Sequence, residues 1–227
     1  MAKKDTMSAK ELIDIVSGVA KNKPTIVGEN KDKFNCEFYL DTEIPLLNCL
    51  LSGDPYKGMP GDLSVQVTGD ASSGKSLFVK LVTRAFYRLF PNAVIDAYET
   101  EGAISEADWK KFIDTNNLIH TRVNHMIELK NSFKEKMKNI KRGFRWMSIV
   151  DSIAMIPDSE QYEKNQKGDS TKVMGKKAQE TNVLFSAILD EAHEKHIPLI
   201  FVNRKYQNMD VNKYTRTSIF FAYFCIF

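Results

Sequence analysis

The eight residues GDASSGKS, Gly69 to Ser76, constrain this chain more than any other stretch. They satisfy G-x-x-x-x-G-K-[ST] at every fixed position. A β-branched alternation predicts a strand over 63–68 just before them. After them, Phe78, Val82, Ala85 and Leu89 recur at helical spacing until Pro91. In such a strand-to-helix turn, glycines adopt backbone conformations that a Cβ forbids. Successive amide N–H groups then converge on a phosphate, and the helix N-terminus adds a favourable field. Lys75 is placed to reach the outer phosphates and the Ser76 hydroxyl to ligate Mg²⁺. The candidate nucleotide-binding residues are therefore Gly69, Asp70, Ala71, Ser72, Ser73, Gly74, Lys75 and Ser76. A Gly/Ser-rich turn that binds nothing is the alternative; the complete pattern and its context speak against it.

The rest of the chain supplies a frame for such a loop. Apolar runs predict further strands in NAVIDAYE, NLIHTRV, RWMSIVD and LIFVN. Between them, Met126, Leu129, Phe133, Met137 and Ile140 mark one helix, and Thr181, Phe185, Ile188 and Ala192 mark another over about 175–195. Residues from Pro157 to about Thr171 read as a polar loop. Strands alternating with long helices predict an α/β fold, a mostly parallel sheet covered on both faces. Ser8 and Glu11 form a capping-box pattern opening a helix to about Ala20, followed by the polar linker KNKPTIVGENKDK. The organisation expected is an N-terminal helix and linker over 1–40, an ATPase-like core over 41–206 and a tail over 207–227.

Composition bounds the setting. The formal charge of +3 is too small to argue for nucleic acid by itself. Cys36, Cys49 and Cys225 show no metal-type spacing and read as reduced thiols. The N-terminus has no secretory pattern, and the longest apolar run, SIFFAYFCIF, is about half the ~20 residues a membrane helix needs. A cytoplasmic protein with no membrane partner is expected.

Two carboxylate positions would complete a hydrolysis site. Asp151 ends a buried strand, where α/β sheets place their ligands, and would hold the Mg²⁺ shell. In AYETEG, Glu99 and Glu101 close the neighbouring strand, and a carboxylate there can polarise an attacking water. Beyond Asp151 a basic segment carries Lys164, Lys167, Lys172, Lys176 and Lys177. It reads either as a DNA-phosphate contact or as a solvated charged loop.

In this order of motifs the chain resembles the RecA family, most closely the UvsX-type recombinases of large tailed phages. The resemblance runs over about 41–206, from IPLLNCLLSG and GMPGDLSVQVTGDASSGKS through PNAVIDAYETEGAIS, LIHTRV, IKRGFRWMSIVDSIA and KGDSTKVMGKKAQ to HIPLIFVN. It implies a RecA-like core with ATP and Mg²⁺ as cofactors, single-stranded DNA as partner and, in complete relatives, a homo-oligomeric filament. It implies that Glu101, the second acid of the pair, activates water, with Lys75 beside the phosphates. It places Asn203 and Arg204 at the γ-phosphate sensor, where the family carries Gln or His. An arginine there acts only as a fixed cation, because it has no acceptor. The first DNA loop would hold the lysines just named, and the second would begin near Lys205. Trp109 lies near the family's adenine-stacking position, or is a half-buried helix residue.

The resemblance stops short at the C-terminus, where no glycine follows Gly175 and an apolar run closes the chain. The tail reads as read-through beyond an interrupted gene, favoured because the run lacks period-2 alternation, or as a substitute edge strand. A truncated ATP-dependent, single-stranded-DNA-binding recombinase with impaired turnover is the leading expectation. The alternatives are a non-catalytic partner that caps filaments of an intact recombinase, and another RecA-like ATPase of helicase or clock type.

Overall fold

The computed structural model describes residues 8–17, 36–70, 72–100, 105–141, 143–169, 175–204 and 223–226. The chain divides between Cys36 and Glu37 into two compact units. In the first, helix α1 spans Ala9–Ser17. Its start is the reciprocal cap expected: the Ser8 amide donates to Glu11 Oε2 at 2.7 Å and the Glu11 amide to Ser8 Oγ at 3.3 Å.

The second unit opens with a small antiparallel pair, β1 (Tyr39–Leu40) and β2 (Met59–Pro60), separated by α2 (Pro45–Ser52). Gly58 makes this closure possible: its φ is 76°, and a Cβ there would lie 2.2 Å from the Leu40 carbonyl oxygen.

Next come β3 (Ser64–Gly69), α3 (Lys75–Leu89), β4 (Val94–Glu99), the short α4 (Glu106–Trp109) and β5 (Leu118–Arg122). Then follow α5 (Met126–Asn139), β6 (Trp146–Asp151), α6 (Ser159–Gln166), α7 (Lys176–Glu194), β7 (Leu199–Arg204) and β8 (Tyr223–Ile226). The sheet runs in the order β5-β4-β6-β7-β3-β8. Its first five strands are all parallel, as expected of an α/β RecA-like core.

Both faces of the sheet are buried because its central strands carry apolar residues on both sides. On β7, Ile200 and Val202 join the cluster under α3, with Val82, Phe86, Ile95 and Ile149. Leu199 and Phe201 face the other way and join Leu129, Phe133, Val150 and Ile188, the cluster under α5 and α7. Burying a side chain such as Phe86 fully contributes about 1.5–3 kcal/mol.

Two readings are revised. The segment after Pro157 is not all loop: Asp158 caps α6, its Oδ1 accepting from the Gln161 amide at 2.8 Å. In the tail, residues 223–226 pair antiparallel with β3, Val65 opposite Ile226 and Thr68 opposite Tyr223. The missing alternation does not prevent this pairing. Ladder pairing uses main-chain groups, and the outer edge of β3 offers them unpaired to any extended neighbour. The residues 205–222 between β7 and β8 lie outside those described.

Candidate nucleotide-binding site

The site is assembled where the parallel strands end. Gly69 closes β3, and Lys75 opens α3 six residues on. Gly74 caps that helix with φ 85°, a left-handed conformation that glycine adopts without strain. Its carbonyl accepts the Phe78 amide at 2.9 Å, so helical bonding starts at once. The Lys75 ammonium folds back over the turn, donating to the carbonyls of Gly69 at 3.0 Å and Asp70 at 2.6 Å. It is thus held above the loop whose phosphate it is expected to meet.

The neighbouring strands bring the acids alongside. Glu99 and Asp151 are register partners across β4 and β6, and Val202 is paired with Asp151 on β7. Asn203 and Arg204 then sit opposite Thr68 and Gly69 of β3. Strand ends that were distant in sequence become one row. A cavity of ≈ 70 Å³ opens on it, lined by Ser76, Lys80, Glu99, Trp109 and Asp151 among others. The structure therefore gathers Ser76 and Asp151, the two expected Mg²⁺ ligands, around one space.

Three buried hydroxyl oxygens near this row, Ser73 Oγ, Thr100 Oγ1 and Ser152 Oγ, have no hydrogen-bond partner among the described residues. Leaving such a group unpaired costs about 1–3 kcal/mol. They belong to the turn and to the residues just after Glu99 and Asp151. Their polarity fits a site that takes a polyanion and its solvent. Among the described residues no three His, Cys, Asp or Glu side chains cluster as a metal cage. Mg²⁺ requires none, since one or two protein oxygens, water and phosphate oxygens complete its shell.

Glu101 and Ala71 lie outside the described residues, as do Lys172 and Lys205. Trp109 is 5 % exposed and packed into the core with Val79 and Phe86, which is the half-buried helix reading taken further. Glu99, named in the sequence and passed over for Glu101, is 4 % exposed and faces the cavity. Its Oε2 lies 3.2 Å from His120 Nε2 on β5. Nothing in the sequence marked His120, because that contact depends on the register between two strands.

The basic segment is separate and differently built. Lys164 and Lys176 both pair with Glu160, at 3.4 Å and 3.0 Å. The Lys176 hydrogen bond, reinforced by its charge, holds the Glu160 carboxyl below the usual range, and Glu160 in turn raises Lys176. Lys177 donates to the Ala154 carbonyl, and burial pushes its ammonium below the ordinary lysine value. Lys167 is exposed, just past the end of α6.

No helix among the described residues is long and apolar enough to cross a membrane. A comparison with known protein-family models finds no match. The chain is similar to a "Recombination and repair protein" of Enterobacteria phage T4, 27 % identical over 183 residues. That match covers 78 % of this chain and 45 % of the relative, so the chain spans less than half of the relative's length. A five-stranded parallel core with a phosphate-type loop at its strand ends thus coincides with distant similarity to a phage recombination and repair protein.

Proposed function

We propose that this chain is an ATP-binding, single-stranded-DNA-binding protein of homologous recombination and repair, carrying the nucleotide site of a filament-forming strand-exchange protein. One observation carries the reading. The turn after β3 and Asp151 at the end of β6 lie one strand apart, on either side of β7, with Ser76 and Asp151 lining one cavity. Similarity to a phage protein of recombination and repair supplies the biological direction.

In this reading the amides of Gly69 to Ser76 bind the phosphates. Lys75 leaves its two carbonyl partners for the outer phosphates. Ser76 and Asp151 would hold Mg²⁺, which when bound offsets charge on the phosphate oxygens. Hydrolysis requires a water oxygen to attack the γ-phosphorus while ADP departs, and a carboxylate to take the water's proton. Glu101 is assigned that role through the family resemblance. Asn203 and Arg204 approach the γ-phosphate from β7. The lysines after Asp151 provide the DNA side.

The deciding experiment is ATP binding and turnover by the purified 227-residue chain, with and without single-stranded DNA. ATP binding at micromolar levels and turnover that rises with DNA are expected. A chain that binds no ATP overturns the reading outright. Turnover indifferent to DNA would favour another ATPase of the same architecture.

A further inference from the structure

We propose that His120 is a positioning residue of this site: its imidazole holds the Glu99 carboxylate beside Asp151, in place for the water shell of a nucleotide-bound divalent cation. The inference rests on the nucleotide reading above and deepens it.

Three observations lead there. Glu99 and Asp151 are register partners on adjacent parallel strands, so their backbones lie about 4.8 Å apart. Both side chains line one cavity, where like charges repel, so a contact that fixes the Glu99 carboxylate bears on the site. His120 makes such a contact from the opposite side: it lies on β5 with its Cα paired with Ala97 of β4, and its Nε2 reaches Glu99 Oε2 at 3.2 Å. A carboxylate only accepts, so Nε2 is the donor in this bond. The His120 side chain is 47 % exposed while that of Glu99 is 5 % exposed. His120 therefore gives the core little packing, and this contact is what it offers the fold. Glu99 shares the cavity with Ser76 and Asp151, within reach of water around any cation held there. Outer groups that orient a metal's shell commonly contribute tenfold or more to affinity.

The test is ATP affinity by calorimetry on the full chain, once with Mg²⁺ and once with EDTA. Variants are His120→Ala, His120→Gln, Glu99→Gln and their double, with Lys75→Ala as a control on the cradle. His120→Ala should weaken Mg²⁺-ATP binding about tenfold and leave EDTA binding unchanged. His120→Gln, whose amide nitrogen can stand near Nε2, should restore the parent value within about twofold. Adding His120→Ala to Glu99→Gln should cost nothing more, since the two act as one unit.

Equal weakening with and without Mg²⁺, no weakening at all, or additive losses in the double variant would each overturn the proposal while sparing the cradle. A parent that binds no ATP, or a Lys75→Ala chain that binds as the parent does, defeats the nucleotide reading and this proposal with it. Circular dichroism identifies a misfolded His120→Ala; Glu99→Gln then decides, since it should weaken Mg²⁺-ATP binding and spare EDTA binding, and equal weakening in that folded chain overturns the proposal.

Discussion

The turn at Gly69–Ser76 and the basic segment at 159–177 are both rich in groups suited to phosphate, yet the structure treats them in opposite ways. Among the described residues, the cation of the turn is bonded only to carbonyls, and Ser73 Oγ has no partner. In the basic segment, Lys164 and Lys176 already share a carboxylate, and Lys177 is committed to a carbonyl. A nucleotide site is made of main-chain amides and one lysine whose partners are easily exchanged. A DNA surface here would have to draw lysines away from Glu160 first. On the proposed reading, the turn is prepared and the basic segment is held in check.

The largest effect that can break this contrast is at Lys75. Its replacement by Ala should weaken ATP binding by about 30-fold or more, as a charge-assisted contact worth about 2–3 kcal/mol is lost. Calorimetry with Mg²⁺-ATP reads it. Because Lys75 bonds only two carbonyls within its own loop, the melting temperature should change little. A chain that loses stability but keeps its affinity would make Lys75 a structural strut and erase the distinction from the basic segment.

Next in size is Glu160→Gln. If Glu160 restrains Lys164 and Lys176, removing its charge frees both, and affinity for single-stranded DNA should rise about three- to tenfold at low salt. The fall of affinity with salt should steepen at the same time, by about 0.7 in logarithmic slope for each added phosphate contact on a single strand. Fluorescence anisotropy at several salt concentrations measures both. Unchanged affinity would show that the lysines serve α6 and α7 and no ligand. Lys167→Ala is the smaller companion: it removes an exposed lysine, lowers the slope by about 0.7 and weakens binding about twofold.

These differences also explain what the sequence could disclose. The turn was legible because its chemistry is local: glycines, a lysine and a hydroxyl within eight residues, bounded by a strand and a helix. Asp151 was legible for the same reason, as the last residue of an apolar strand. The parallel sheet followed from alternation of apolar runs and helical faces. What escaped was set by register and pairing. That Glu99 lines the cavity depends on its alignment with Asp151, and His120 enters only because β5 lies beside β4. Trp109 lines the cavity and also joins the core cluster of Val79 and Phe86, a double placement that only packing discloses. Helix α6 was hidden in a polar stretch with no apolar face, its start fixed by the single cap at Asp158. Strand β8 was set aside for lacking alternation, a rule that governs which faces are buried and does not govern which main chains pair.

The smallest effect tests the same restraint by pH. Glu160 has its carboxyl held low by Lys176, so the pair persists well below the ordinary titration of a glutamate and is lost only as pH falls through that depressed value. Acid should therefore release Lys164 and Lys176, much as Glu160→Gln does at neutral pH. Affinity for an oligomer of thymidine, whose bases take up no proton in this range, should rise about twofold as pH falls below 4.5 through that depressed value, at fixed ionic strength. The Glu160→Gln chain should show no such rise, because its amide does not titrate. Circular dichroism over the same interval confirms that the fold is intact. An equal rise in both chains would trace the effect to the overall gain of positive charge, since other carboxylates protonate in the same interval, and Glu160 would then be no restraint. A rise confined to the parent makes one exposed carboxylate the difference between a lysine cluster that is occupied and one that is ready for DNA.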